Sequence, residues 1–356
     1  MNNAIPRFGS MAFFMGLLKG RLGGWWLGIL FLLLFLVFAL VPLLGNWLYR
    51  HFIFQIVRVA FDFTFGLLPF PAAYVLAPLY IAAVIFYLYR SKRGVKFFFA
   101  RLLNVTGYTF ALFLLLWGFN YACTGISGNA KDLKLDSEQL FLFGQEVNRR
   151  CTTMRSRLGD QALFNHSEEQ MVRDRVEAVI SSFGLPVVGR VRCRLLNDEG
   201  RLRKMGIAGF YFPFHQEGYA SSTYLPATVS FIRAHEMSHG YGITHEGEAD
   251  FVAYLALSGS QDVSIQYAGE LELLRNIRGR LKSESPEDYQ KLKELTDPGV
   301  LEDLRAIYRN GLGYQEYVPG VQEKFNDLYL KLMGVKEGVD SYETMVEMVF
   351  QHQSHR

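Results

Sequence analysis

Cysteine is scarce in this chain, with 3 in 356 residues. Cys123, Cys151 and Cys193 cannot make a disulfide scaffold, although Cys151 and Cys193 can pair if their part of the chain lies outside the cytoplasm. Net charge is also small, at +3, too little to suggest nucleic acid as a partner. No internal repeat and no low-complexity tract is present. Charge is missing altogether from Trp25 to Leu48, a run longer than the roughly 20 residues that span a bilayer. Its apolar core is too long for a cleaved signal peptide and no small-residue cleavage site follows, so it is expected to stay as an anchor.

Two further apolar runs follow. Residues 65–89 contain Pro69, Pro71 and Pro78, which membrane helices tolerate better than soluble ones. Residues 102–122 end in Trp117 and Tyr121, placed to sit at one interface. Between the first two runs, HFIFQIVRVAFDFTFG carries Arg58 and Asp62 and reads as an interfacial helix or a simple outer loop. Arg90, Lys92, Arg93, Lys96 and Arg101 crowd the loop before the last run, which places that loop in the cytoplasm. Arg7, Lys19 and Arg21 put the N-terminal tail on the same side. Three crossings (about 25–48, 65–89 and 102–122) then set everything after Cys123 on the far side. In a bacterial chain that is the periplasmic or extracellular face of the inner membrane.

The expected division is therefore a transmembrane region over 1–125 and an extracytoplasmic domain over 126–356. After a polar linker at 124–134, Asp136 and Gln139 open a helix to about Leu158 with a capping box. Ser167 and Gln170 open another, stopped by Gly184. The period then changes. Residues 187–196 alternate like a half-buried strand, 207–214 (IAGFYFPF) form a second strand candidate, and 215–224 hold room for a third. That third segment is a candidate edge strand for holding an extended peptide. Pro226 starts a helix that Gly240 and Gly242 end, and a second follows from about Thr244 to Ser258. The remainder reads as polar helices at about 263–281, 285–295, 300–310, 320–333 and 341–350.

The chemistry lies where those two helices meet, in Ala234-His235-Glu236-Met237-Ser238-His239 and Glu246-Gly247-Glu248-Ala249-Asp250. Four residues apart on a helix, His235 and His239 share a face and can present both imidazoles to one point. This HExxH spacing suits a tetrahedral zinc ion, with Glu236 beside it as general base toward water. A third protein ligand is needed, and His245, Glu246 and Glu248 are the candidates. Glu246 is favoured because Asp250, four residues on, then shares its face and can orient a ligand histidine. Tyr219, Tyr224, His215 and Tyr342 are candidate donors to a developing oxyanion. Glu217 and His215 are candidate substrate-binding groups.

HEMSH followed by EGEAD resembles the gluzincin group of zinc metallopeptidases, in which the Glu of an ExxxD motif is the third ligand. Only six residues separate His239 from Glu246 here, tighter than in those relatives. Most of the chain also resembles an uncharacterised family of bacterial membrane proteins with three N-terminal helices and an outer HExxH domain. That likeness is carried by GFYFPF with the Glu217 that follows, AHEMSHGYGITHEGEADFVAYL, and GVDSYETMV near the C-terminus. The resemblance implies a three-helix membrane region followed by a mainly α, α+β zincin-like metalloprotease domain with a small sheet. Its expected cofactor is Zn2+ and its expected partners are the bilayer and a peptide or protein substrate. Rival expectations are a zinc hydrolase of another amide, such as cell-wall material, and a non-enzymatic envelope assembly module with a structural metal.

Overall fold

A computed structural model of the chain describes residues 22–89, 95–128, 133–159, 162–163 and 169–354, apart from the side chains at 340, 342 and 343. The chain divides into two compact units. The first comprises residues 1–57, 68–124 and 213–215, and the second residues 58–67, 125–212 and 216–356.

In the first unit, α1 (Gly23–Leu40) packs along a longer helix ending at Leu116. Small residues let the backbones approach: a Cβ on Gly107 would lie 2.2 Å from the carbonyl oxygen of Gly24. Asn104 Oδ1 accepts from the Gly24 amide at 3.0 Å, so the polar group at this crossing is satisfied. Leu33, Leu36 and Phe99 stay exposed.

The expected spans are only partly found, and among the described residues two helices, not three, are long and apolar enough to cross a membrane. The first stops at Leu40 because Pro42 disfavours helical backbone at Val41, which sits at φ −130° and ψ 73°. Gly45–Ile53 then wind as a π-helix, and α2 (Phe54–Asp62) follows. Of 65–89, only α3 (Ala73–Tyr89, 17 residues) is a continuous helix, because Pro69 and Pro71 break the run before it. The last, α4 (Val95–Leu116), begins seven residues earlier than its apolar core, running through Lys96 and Arg101. Hydropathy marks the apolar centre of a helix and is blind to charged first turns.

The second unit is mostly helical. α5 (Ser137–Leu158) begins with both halves of the expected capping box: Asp136 Oδ1 accepts from Gln139 N at 2.8 Å, and Gln139 Oε1 from Asp136 N at 3.1 Å. α6 (Glu169–Ser182) begins just beyond Ser167, which lies outside the described residues. Three short strands follow, with a helical turn, α7 (Arg201–Lys204), after the first: β1 (Arg192–Leu196), β2 (Gly209–Phe212) and β3 (Glu217–Ser221). Their order is β1-β3-β2, with β3 parallel to β1 and antiparallel to β2. The segment expected to be an edge, 215–224, therefore supplies the central strand, and all five residues of β3 are buried. The edge beside the site is β2. Cys151 and Cys193 are buried free thiols rather than a pair.

Arg58 and Asp62 of α2 serve this unit, and their segment is helical rather than a loop. Both are buried, and Arg58 Nη2 bonds Asp62 Oδ1 at 2.5 Å. Arg58 Nη1 donates to the Tyr211 hydroxyl at 2.9 Å and to the carbonyl oxygen of Gln216 at 3.0 Å, while Asp62 accepts from the Arg190 amide at 2.7 Å. The pair holds the turn between β2 and β3, where Gln216 takes a left-handed φ of 58°.

Against the sheet lies α8 (Pro226–Gly240), and α9 (Glu246–Ser258) packs on α8; each is buried over most of its length. α10 (Val263–Glu284) packs on both and on α5. α11 (Pro286–Glu294), α12 (Pro298–Leu312), α13 (Val321–Leu332) and α14 (Met345–Ser354) complete the chain.

Candidate metal centre

α8 starts with Pro226 in its first turn, where a missing amide costs nothing. Its end determines the site. Gly242 takes φ 92°, a conformation closed to most side chains, and closes a Schellman-type cap. The Gly242 amide donates to the carbonyl of His239 at 2.9 Å and that of Ile243 to Ser238 at 3.1 Å. This reversal aims the Ile243 carbonyl at His239 Nδ1, 2.7 Å away, and sends the chain directly into α9. Six intervening residues therefore suffice to bring Glu246 back over α8.

Three donor atoms converge. His235 Nε2 and His239 Nε2 are 3.0 Å apart, and Glu246 Oε2 lies 3.2 Å from each. A tetrahedral zinc ion with bonds of roughly 2.0–2.1 Å separates its ligand atoms by about 3.3 Å. The triangle is thus close to that size before any ion is considered. The far side of each ring is already committed. His239 Nδ1 faces a carbonyl, so it must carry a proton, and His235 Nδ1 donates to Asp250 Oδ1 at 2.6 Å. On both rings Nε2 is therefore the nitrogen that can offer a lone pair to an ion at that point. Asp250 reaches His235 because it lies four residues beyond Glu246 on α9.

The electrostatics agree. Burial opposes charge on His235, but Asp250, Glu246 and Glu236 outweigh it and hold the imidazole well above its usual pKa. His239 is raised in the same way, mainly by Glu246 against burial. Burial likewise opposes the charge on Glu246, yet the two imidazoles hold its carboxyl well below the usual range. Two buried carboxylates, Glu236 and Glu246, and the half-buried Asp250 around two imidazoles make a site that gains from a cation. Burial raises Glu236 to about 7, and its Oε2 is buried without a hydrogen-bond partner; burial raises Asp250 as well. An orphaned carboxylate oxygen beside three convergent donors fits a site completed by an ion and water.

His235, Glu236 and Asp250 open into a cleft of about 560 Å³. One wall is the chain entering β2, Gly206–Gly209. Gly209 passes so near α8 that a Cβ there would lie 2.6 Å from Ile232 and 2.7 Å from Glu236 Oε1. Phe231 and Ile232 add an apolar surface. The rest of the lining is mostly polar, with Glu272, Arg275 and Asn276 of α10 and Gln322, Glu323 and Asn326 of α13. Sequence reading did not single out these six. On solvated helices nothing distinguishes a cleft-lining Asn or Gln from any other surface residue.

The other candidates are placed elsewhere. Glu248 is 2 % exposed and outside the donor cluster; its Oε1 accepts from the Ser127 hydroxyl at 2.6 Å and amide at 3.1 Å, tying down the linker. His245 is buried just ahead of α9, and the cluster of potential ligands found among the described residues is His235, His239 and Glu246. Glu217 is a structural ion: Arg194 Nε bonds its Oε1 and the Tyr219 hydroxyl its Oε2, each at 2.8 Å. Tyr219 is spent in the same contact. Arg203 stacks on the Tyr224 ring at 3.9 Å, and neither tyrosine lines the cleft. His215 groups with the first unit, and burial lowers its pKa to about 4. The Tyr342 side chain lies outside the described residues. Its neighbours Ser341 and Thr344 press on Gly247, where a Cβ would meet Thr344 Oγ1 at 2.0 Å. The C-terminal segment thus packs on the turn that bears Glu246.

No curated protein and no solved structure matches this chain. One family model does, over residues 49–350: the family described as "Protein of unknown function (DUF3810)". The chain belongs to that family. The match takes in α2, the whole sheet, both helices of the site and the C-terminal segment.

Proposed function

We propose that this member of the family is a membrane-anchored zinc metallopeptidase whose site is held by His235, His239 and Glu246. The observation that carries the reading is the triangle of donor atoms 3.0 to 3.2 Å apart with Glu236 beside it in an open cleft. Zinc, when bound there, supplies Lewis acidity that lowers the pKa of water and polarises a carbonyl. Asp250 orients His235 and raises its basicity, as the Ile243 carbonyl does for His239. Glu236 takes the proton of the attacking water on Oε2 and delivers it to the departing amine nitrogen. Burial suits it to this, since a carboxylate near neutrality both accepts and releases a proton at working pH.

A peptide substrate is favoured over other amides by the edge strand. β2 is an edge strand among the described strands, and its entry lines the cleft next to Glu236. An extended chain can add there by backbone hydrogen bonding.

For the membrane part we infer a bacterial inner-membrane location with residues from Gly125 onward on the outer side. This needs only that the basic residues between Arg90 and Arg101 are cytoplasmic and that α4 crosses. A cytoplasmic N-terminal tail further requires α3 to cross, and its 17 residues meet the lower limit of roughly 17–25.

The test is Glu236→Gln in the full chain, assayed for peptide cleavage alongside metal content. The reading expects metal retained and turnover reduced by at least about 100-fold, the usual scale of a lost general base. Turnover unchanged in a folded, metal-loaded variant sinks it.

A further inference from the structure

The exposed large apolar side chains of the second unit are mostly scattered one at a time, as at Leu142, Val188 and Met205. α13 is different. Val321, Phe325, Leu328 and Leu332 follow at intervals of four, three and four, which lines them along one face of the helix. All are exposed, Phe325 by 70 % and Leu332 by 75 %, and Tyr317 and Val318 extend the surface ahead of the helix. A soluble domain rarely leaves such a contiguous apolar strip to water. Nor is the strip an inner face left open by accident. The opposite side of the same helix carries Gln322 and Asn326 into the cleft and buries Leu330.

We propose that this strip is a docking surface for the lipid bilayer, so that α13 lies in the membrane interface with the cleft on its other side. Three observations favour lipid. Among the described residues two helices are long and apolar enough to cross a membrane, and only eight residues separate the end of α4 at Leu116 from Gly125. At roughly 3.5 Å per residue eight residues reach at most about 30 Å, and Gly118–Ala122 are wound as a 3-10 helix, so the second unit meets bilayer at high local concentration. The charges also suit lipid headgroups. Lys324 and Lys331 flank the strip on one side; the stem of Lys324 is long enough to lie along apolar surface with its head at phosphate, while Lys331 pairs with Asp327. The nearby acids are turned inward or bound: Glu323 lines the cleft, Glu316 accepts from the Gly320 amide, and Asp327 holds Lys331 and the Val339 amide. Finally, aromatic Phe325 and Tyr317 on an otherwise aliphatic strip is the composition of an interfacial helix.

The experiment uses the full chain in vesicles of phosphatidylethanolamine and phosphatidylglycerol. Nitroxide labels are placed singly through Phe325→Cys, Leu328→Cys and, as an exposed control on α11, Glu287→Cys, in a Cys123→Ser background. Relaxation by oxygen, which partitions into lipid, is compared with relaxation by a water-soluble nickel chelate. Docking expects the oxygen-to-nickel ratio at 325 and 328 to exceed that at 287 several-fold. Labels as open to nickel as the control overturn it, because the strip is then in water. Labels shielded from both agents overturn it too, because protein then covers the strip, whether a second copy or another chain. These outcomes do not depend on metal binding or turnover, so they leave the peptidase reading to its own test.

Discussion

Asp250 accepts from His235 at 2.6 Å and so fixes which ring nitrogen faces the metal position. Replacing it by Asn keeps the shape but removes the charge and weakens the demand for a proton on Nδ1. Asp250→Asn is expected to lower zinc affinity by about 10- to 100-fold, measured by competition with a chromogenic chelator. An unchanged affinity would show that Asp250 only packs. At this scale much was legible, because helical spacing alone brings His235 to His239 and Glu246 to Asp250. Glu217 was not legible. Its partner Arg194 lies on a neighbouring strand, 23 positions away, and no local pattern announces a pairing made by the sheet. The role of Glu248 was hidden for a related reason: its partner Ser127 sits in the linker, 121 positions away.

The elements around the site explain how so short a connection works. Gly242 ends α8 in a left-handed turn, and the same turn supplies the carbonyl that orients His239. The helix bounds were readable from Pro226, Gly240 and Gly242, whereas the strand order was not, since it depends on which distant segments pair. β2 depends on two supports. Gly209 allows it to pass over α8, and a methyl there must displace Ile232 or Glu236. Gly209→Ala is expected to cost about 1–3 kcal/mol in stability, read by denaturation in detergent; full stability would mean that β2 can shift freely. The second support is Arg58. Arg58→Met leaves Asp62 buried beside Arg190 without its counter-ion, and the expected loss is about 3–5 kcal/mol by the same measurement. A loss under about 1 kcal/mol would be the surface-pair value and would mean that the contact is not buried in solution.

For the whole molecule, composition separates an apolar first part from a polar second, and the division at Thr124 and Gly125 follows it. Arg58–Leu67 break that simple division, joining the second unit from within the apolar part. Their hydropathy suggested an interface or a loop because burial of an Arg–Asp pair leaves no trace in composition. The helices of the first unit were similarly blurred, since proline at 42, 69 and 71 cuts runs that hydropathy averages together.

The whole account rests on the second unit holding a zinc ion between α8 and α9. The most direct measurement is the zinc content of the purified full chain beside that of His239→Ala, with both shown to be folded. One zinc per chain in the wild type, reduced at least about tenfold in the variant after dialysis against a weak chelator, is the expected result. Wild-type protein that is folded and takes up no zinc, or a variant that holds as much, would contradict it.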